Sequence, residues 1–224
     1  PEGGSEEGSG SQTEEEDRRY GFGATTAATK GVGPAQVTVG AEARFEHADY
    51  ENWLTTGRVR DEVQAVVVAR QLSGALFVQT STDVGHHLRL DAGARYDALD
   101  TRSTPEGQPA SSDTKGIFVP KLGALYHLKH AVDLYANVSR GFRQTDNVID
   151  DPSLPFITAW AYESGVKLDL ARINLSVAFF RTDVSNEQTF NPVTLASTSG
   201  GESRRQGIDA DLVAQVAPGV RLSA

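Results

Sequence analysis

The feature that most constrains this chain is a strict two-residue alternation, repeated in segments of about ten residues. Val37, Val39, Ala41, Ala43 and Phe45 alternate with Thr38, Gly40, Glu42, Arg44 and Glu46. Leu88, Leu90, Ala92, Ala94 and Tyr96 alternate with Arg89, Asp91, Gly93, Arg95 and Asp97. The same period runs through 118–128, 132–139, 160–170, 173–180 and 207–216, and helical periodicity is almost absent. Weaker segments at 18–28, 72–83 and 219–224 bring the expected total to about ten strands. For 72–83 the pattern does not say which face is apolar. Successive strand side chains point to opposite faces, so every segment has one apolar and one polar face. The polar faces carry Glu42, Arg44, Arg95, Asp133, Lys167 and Asp211, among others. Burying such charges dry costs several kcal/mol per unpaired ion; facing a wet lumen removes that cost.

The connections alternate between short and long. Short ones fall near 30–34, 84–85, 129–130, 171 and 218–219, and long polar ones at 47–71, 98–115, 143–158 and 185–203. The acidic segment 1–17 occupies the position of one more long connection. An outer-membrane barrel requires this alternation, with tight periplasmic turns and longer extracellular loops. Tilted membrane strands also need about 9–11 residues. Tyr20, Phe22, Phe45, Tyr96, Phe118, Phe142, Trp160, Tyr162, Phe179 and Phe180 all lie toward the long-loop ends, as expected of rings at the headgroup level. The expected fold is therefore all-β: antiparallel transmembrane β-barrel strands with short periplasmic turns and long extracellular loops.

The formal charge of −9 is unevenly spread. Residues 1–17 carry seven acids and no base, and setting them aside leaves −2 for the rest of the chain. Segment 1–17 is expected to be a disordered acidic loop or linker, because its composition cannot bury enough surface to order it. The near-neutral body excludes a basic nucleic-acid-binding domain. With 0 cysteines there is no disulfide scaffold, thiolate metal site or thiol nucleophile. No run approaches the ~18–20 apolar residues of a membrane-spanning helix. The N-terminal PEGGSEEGSGSQTEEED is unlike a charged-then-apolar leader and lacks an initiator Met, so the chain is expected to be a mature or internal fragment.

Several longer motifs carry a resemblance. FVPKLGALYHLKHAVDLYANVSRGFRQ (118–144) resembles paired barrel strands of TonB-dependent outer-membrane receptors of the ferric-siderophore type. AWAYESGVKLDLARINLSVAFFRTDVSNEQ (159–188) resembles the hairpin that follows, and ESRRQGIDADL (202–212) the strand after it. LRLDAGARYDAL (88–99) resembles an earlier strand with its G-x-R-Y-D pattern. The similarity covers roughly 35–224. It implies a 22-stranded barrel with an N-terminal plug, active import of a ferric siderophore or similar scarce ligand, and energy supplied through a TonB complex. The plug and TonB box have no counterpart here, so residues 18–224 are expected to be a middle-to-late portion of such a barrel. The implied location is the outer membrane of a Gram-negative bacterium, with outer-membrane lipid as a partner and no nucleic acid.

Loops are the expected functional surface. Tyr50, Trp53, Arg58 and Arg60 fall in 47–71, and Arg143 follows the S-R-G-F stretch on lumen-facing parity. Arginine supplies fixed charge and forked donors, and Tyr and Trp supply rigid contact area. These five are the candidate ligand contacts for an anionic iron chelate; the plainer reading is solvated loop residues packing loop against loop. His86 and His87 point to opposite strand faces, and His127 and His130 flank another turn, so no metal site is expected. Asp97, Asp100 and Asp113 lack calcium-loop spacing. Carboxylate pairs such as Glu42/Glu46 recur on every strand and single out nothing catalytic, and no nucleophile motif is present. No enzyme activity and no cofactor are expected. Two alternatives stand beside the receptor reading: a passive porin-like channel, and a soluble or surface-anchored β-sheet binding module.

Overall fold

A computed structural model describes residues 12–129, 131–144, 152–191 and 196–223. Ten strands follow one another: β1 (Gln12–Val32), β2 (Ala35–Thr56), β3 (Val59–Val84), β4 (Leu88–Pro105), β5 (Ser111–Lys129), β6 (Val132–Arg143), β7 (Ile157–Leu170), β8 (Ile173–Asn191), β9 (Ala196–Ala217) and β10 (Val220–Ser223). Each pairs antiparallel with the next, giving one sheet in sequence order without a crossover. β1 and β10 are its two edges among the described residues. Every short connection expected from the sequence is a tight turn or lies beside one, and His130 falls outside the described residues.

Three of the four expected long loops are a correction, while 143–158 remains the long connection between β6 and β7. β2 and β3 pair from Ala35↔Thr82 to Thr56↔Val59, so 47–71 is almost wholly strand. Its turn is Gly57–Arg58, with φ of 60° and 68°; two positive φ values give the primed turn that matches strand twist. β4 and β5 stay paired as far as Ser103↔Ser111, and β8 and β9 pair across Ser185↔Glu202. At 22 and 26 residues and about 3.4 Å per residue, β2 and β3 run roughly 75–90 Å. The apolar band of an outer-membrane barrel is only about 25 Å tall, so these hairpins rise far beyond it. They read as loops because their outer halves lose the apolar–polar alternation: polar residues stand on both faces of β2, and Ala65–Ala69 of β3 is apolar on both. The acidic segment changes in the same way: Gln12–Asp17 belong to β1 and pair with Thr55–Tyr50 of β2, while residues 1–11 lie outside the described residues.

Cross-strand register assigns the faces. Leu90 lies opposite Ala124, Leu134 opposite Val166, and Leu175 opposite Leu212. These share one face with exposed Leu122, Tyr126, Phe179 and Ile208. In β3 the register puts Leu72, Leu76 and Val78 on that same face, opposite Phe45, Ala41 and Val39. Of the expected aromatic girdle, Tyr20, Phe22, Phe45, Tyr96, Phe118, Trp160, Tyr162 and Phe179 point outward. Phe180 does not, because it pairs with Glu163 and Gly207 on the inward face. Phe142 turns instead onto Phe156, at 5.0 Å between ring centres.

The inward face is kept flat by glycines set opposite long side chains. Tyr135 faces Gly165 directly; a Cβ there would sit 2.7 Å from the Tyr135 ring and 2.5 Å from the Val177 carbonyl oxygen. Phe77 covers Gly40 in the same manner.

One seam interrupts the sheet. β5 begins at Ser111 and β6 runs to Arg143, yet their pairing stops at Lys121↔Ser139. Residues 152–157 fill the opening beyond. Phe156 packs with Leu99 and Ile117, bordered by Val119 and Phe142. Lys115 Nζ donates to the carbonyls of Pro152 and Leu154, and Asn186 Nδ2 donates to the Phe156 carbonyl at 3.0 Å. Arg140 Nη1 donates to the Phe118 carbonyl at 3.3 Å, satisfying an acceptor that β6 no longer reaches.

Two outcomes check this fold. In the full-length protein in lipid, a spin label at Leu134 is quenched by a lipid-soluble agent and one at Asp133 is not; equal quenching contradicts the facing. Arg at position 134 costs roughly 2–4 kcal/mol of folding free energy if the site is near the midplane. Gly165→Ala lowers stability by about 1–3 kcal/mol through overpacking. The loss shrinks in a Tyr135→Ala background, because part of the strain acts through that ring; denaturant titrations of the four proteins measure the coupling.

Candidate functional site

The long-hairpin end of the inward face holds a cavity of about 640 Å³. β1 contributes Arg19, β2 Arg44 and Glu46, β3 Gln71, β4 Thr101, and the residue after β6 is Gln144. Alternation brings these side chains to one face, and register brings them to one place. Gly21 and Gly23 of β1 stand opposite Glu46 and Arg44, so the wall behind the cavity is thin.

Its charges are balanced locally. Arg19 pairs with Asp17, and Arg44 Nη2 lies 2.6 Å from Glu46 Oε1. Gln71 Nε2 donates to Thr101 Oγ1 at 2.9 Å and to Gln144 Oε1 at 2.8 Å. Gln144 Nε2 in turn donates to Thr101 Oγ1 at 3.4 Å, so three elements share one polar junction. Deeper in the wall, Arg95 reaches Asp97 at 2.7 Å and Glu42 at 3.0 Å. Glu42 and Asp97 both lie opposite Ala75, whose small side chain leaves room for the guanidinium to span the three strands. The arrangement can hold a polar ligand through amide, hydroxyl and guanidinium groups.

The five residues singled out from sequence do not form one site. Tyr50 lies on the inward parity of β2, opposite Val67 and Asp17. Arg143 ends β6 on the inward parity, opposite Ile157. Trp53 and Arg60 lie on the outward side of the β2–β3 hairpin, and Arg58 is at its tip. Trp53 Nε1 donates to Glu51 Oε2 at 3.0 Å, and the Arg60 guanidinium stands 5.3 Å from the Trp53 ring centre. Arg60 also donates to Glu14 at 2.5 Å and Glu16 at 2.9 Å. Arg60, followed by Arg18, holds the Glu16 carboxyl below its ordinary range. Glu14, followed by Glu16, raises the Arg60 pKa.

Sequence reasoning missed Arg19, Arg44, Glu46, Gln71, Thr101 and Gln144 as a group. Arg44 and Glu46 were visible only as ordinary members of a polar strand face, and Gln71 and Thr101 fell in stretches read as loop. Their convergence depends on strand neighbours and register, which no local spacing encodes. Among the described residues no group of three or more His, Asp or Glu could hold a metal ion. His127 Nδ1 lies 2.6 Å from Asp133, and Asp113 pairs with Lys115 at 3.3 Å.

Comparison with known proteins places this geometry. The model of the family described as TonB dependent receptor-like, beta-barrel matches residues 2–224. The metal-pseudopaline receptor CntO of Pseudomonas aeruginosa (strain PAO1) is 30% identical over 51% of this chain and 17% of its own length. The ferripyoverdine receptor of the same strain is 27% identical over 69% of this chain and 20% of its own length. Among solved structures, the ferric yersiniabactin uptake receptor FyuA of Yersinia pestis superposes with a TM-score of 0.72 at 13% identity, over 94% of this chain and 35% of that one. The ferric citrate transporter FecA in its unliganded form gives 0.71 at 17% identity, over 91% and 33%. The chain thus spans about a third of those structures and a fifth or less of these two curated relatives. With the family model matching nearly every residue, and one lipid-type face backing one polar face across ten antiparallel strands, the chain belongs to the TonB-dependent receptor β-barrel family, outer-membrane proteins of Gram-negative bacteria.

Proposed function

We propose that this chain forms part of the lumen wall and ligand mouth of an outer-membrane active-transport receptor. Its ligand is a ferric siderophore or a similar scarce chelate, and its energy comes through TonB acting on a plug. The observation that carries this reading is the polar cavity at the long-hairpin end of the inward face of a sheet whose outward face exposes a band of large apolar side chains. It is supported by the names of the relatives, which are receptors for ferric or other metal chelates. A soluble binding module would leave Leu76, Phe22 and Ile208, 68–72% exposed, in water. A passive channel is the remaining alternative. It does not need energy, whereas uptake by the proposed receptor stops when TonB is deleted. Uptake of the iron-loaded chelate by cells carrying the full-length protein, with and without TonB, separates the two.

Within the mouth, Tyr50, Arg143, Arg44 and Gln71 are the proposed ligand contacts, and Arg58 meets the ligand first at the hairpin tip. Trp53 and Arg60 brace the hairpin that carries them. No residue of the chain is assigned a catalytic role.

Losing a charge-assisted contact costs about 1.5–3 kcal/mol, a roughly ten- to hundredfold loss of affinity. Arg143→Ala therefore weakens binding by that factor at unchanged receptor abundance, measured by isotherms on whole cells. Trp53→Ala leaves affinity within a few-fold and instead increases protease cleavage near the Gly57–Arg58 turn. Equal affinity in wild type and Arg143→Ala removes Arg143 from the site.

A further inference from the structure

Beyond the aromatic belt, the outward parity of the sheet carries a second charge arrangement, whose Arg70 also borders the cavity described above. Arg70 of β3 and Arg102 of β4 are direct cross-strand partners, and both are exposed. Directly opposed residues have Cβ atoms about 4.5–5.5 Å apart, and like charges there are destabilising. Several other arginines of these strands are neutralised: Arg18 by Glu16, Arg19 by Asp17, Arg44 by Glu46, Arg60 by Glu14 and Glu16, and Arg95 by Asp97 and Glu42. Among the described residues, Arg70 and Arg102 have no acidic partner within 4.0 Å. Asp100 shares their face two residues before Arg102, but its carboxylate accepts from Thr114 Oγ1 at 2.7 Å. His47, the other cross-strand partner of Arg70, is buried, stacked on Tyr20 at 4.7 Å, and directed at Asp49. The sheet itself leaves the pair repelling.

The surroundings define what relieves it. Toward the short turns, the same face presents Leu72, Leu76, Tyr96 and Phe118, all more than half exposed. In the other direction the face is mixed: Thr104 stands beside Val68, Val68 faces Asp49, and Ser112 stands directly opposite Arg102. The arginine pair stands where the exposed apolar surface of Leu72, Leu76, Tyr96 and Phe118 gives way to this mixed one.

We propose that Arg70 and Arg102 together hold the phosphate of a membrane lipid whose chains lie along Leu72, Leu76, Tyr96 and Phe118. This rests on the membrane-spanning reading of the sheet. Each guanidinium offers five N–H donors in a fixed fork, and charge-assisted bonds from two forks to one phosphate are short and strong. The anion turns a repelling pair into a bridged one. Inorganic phosphate shares the headgroup chemistry but gains nothing from the apolar surface below, so the lipid is the occupant.

The test uses the full-length receptor in phosphatidylcholine nanodiscs containing a minor share of phosphatidic acid, with lipid retained after detergent extraction counted by native mass spectrometry. Wild type retains phosphatidic acid over phosphatidylcholine by roughly tenfold or more, the scale of one charge-assisted contact. The Arg70→Gln/Arg102→Gln double variant loses that preference, and Arg89→Gln at the opposite end of the sheet keeps it. Equal preference in wild type and double variant overturns the proposal. Inorganic phosphate displacing the lipid at equal concentration also overturns it, because the chains would then contribute nothing. The quenching measurement at Leu134 and Asp133 checks the membrane reading separately, so failure of the clamp and failure of that reading are distinguishable.

Discussion

Inside a bilayer every backbone N–H and C=O needs a partner from the protein itself, and the structure depends on meeting that demand between neighbouring strands. The ladder runs without a crossover from β1 to β10, so each strand's identity is fixed by those beside it. Once the ladder is in place, side-chain parity is no longer free. A one-residue slip would send Leu134 to the lumen and Asp133 into lipid. The same constraint that satisfies the backbone therefore sorts the chain into a lipid face and a wet face, and gathers the cavity residues on the latter.

This coupling explains what was legible in the sequence. Within the membrane band the two faces differ sharply, so Val37–Phe45 and Leu88–Tyr96 announced both strand and facing. Above the band, water bathes both faces and the contrast vanishes. Asp49, Glu51, Gln71 and Thr101 read as loop although they are strand. Gly57–Arg58 escaped notice because a non-glycine at positive φ departs from the Asn-Gly signature of a primed turn. The alternation puts Phe180 on the polar face with Asn174 and Ser176, and its role over Gly207 appears only in the register with β9. The candidate site was legible only in part. Tyr50 and Arg143 had the right parity, but the junction of Gln71, Thr101 and Gln144 joins residues far apart in sequence.

Opposed glycines and large side chains make a second consequence of register. With Tyr135 lying over Gly165 and Phe77 over Gly40, bulky residues add little thickness to the inner wall. The lumen keeps its width while each strand retains residues large enough to stiffen it. Lys167 completes the Tyr135 site by placing its ammonium 5.2 Å from the ring centre, a cation–π contact worth about 0.5–1 kcal/mol when exposed.

The seam between β5 and β6 gives the wall a mechanical division. Below Lys121↔Ser139 the ladder is continuous; beyond it, β1–β5 and β6–β10 form two separate blades. Side-chain contacts join them: Lys115 to the Pro152 and Leu154 carbonyls, Gln71 to Gln144, Arg140 to Phe118, and buried Phe156 against Leu99 and Ile117. The hydrogen-bonded latches exchange for water more readily than strand pairing in lipid, whereas the buried Phe156 cluster keeps water out. At this seam the outline of the entrance is therefore set by a few side chains and one buried ring, while in the membrane band it is set by backbone rungs.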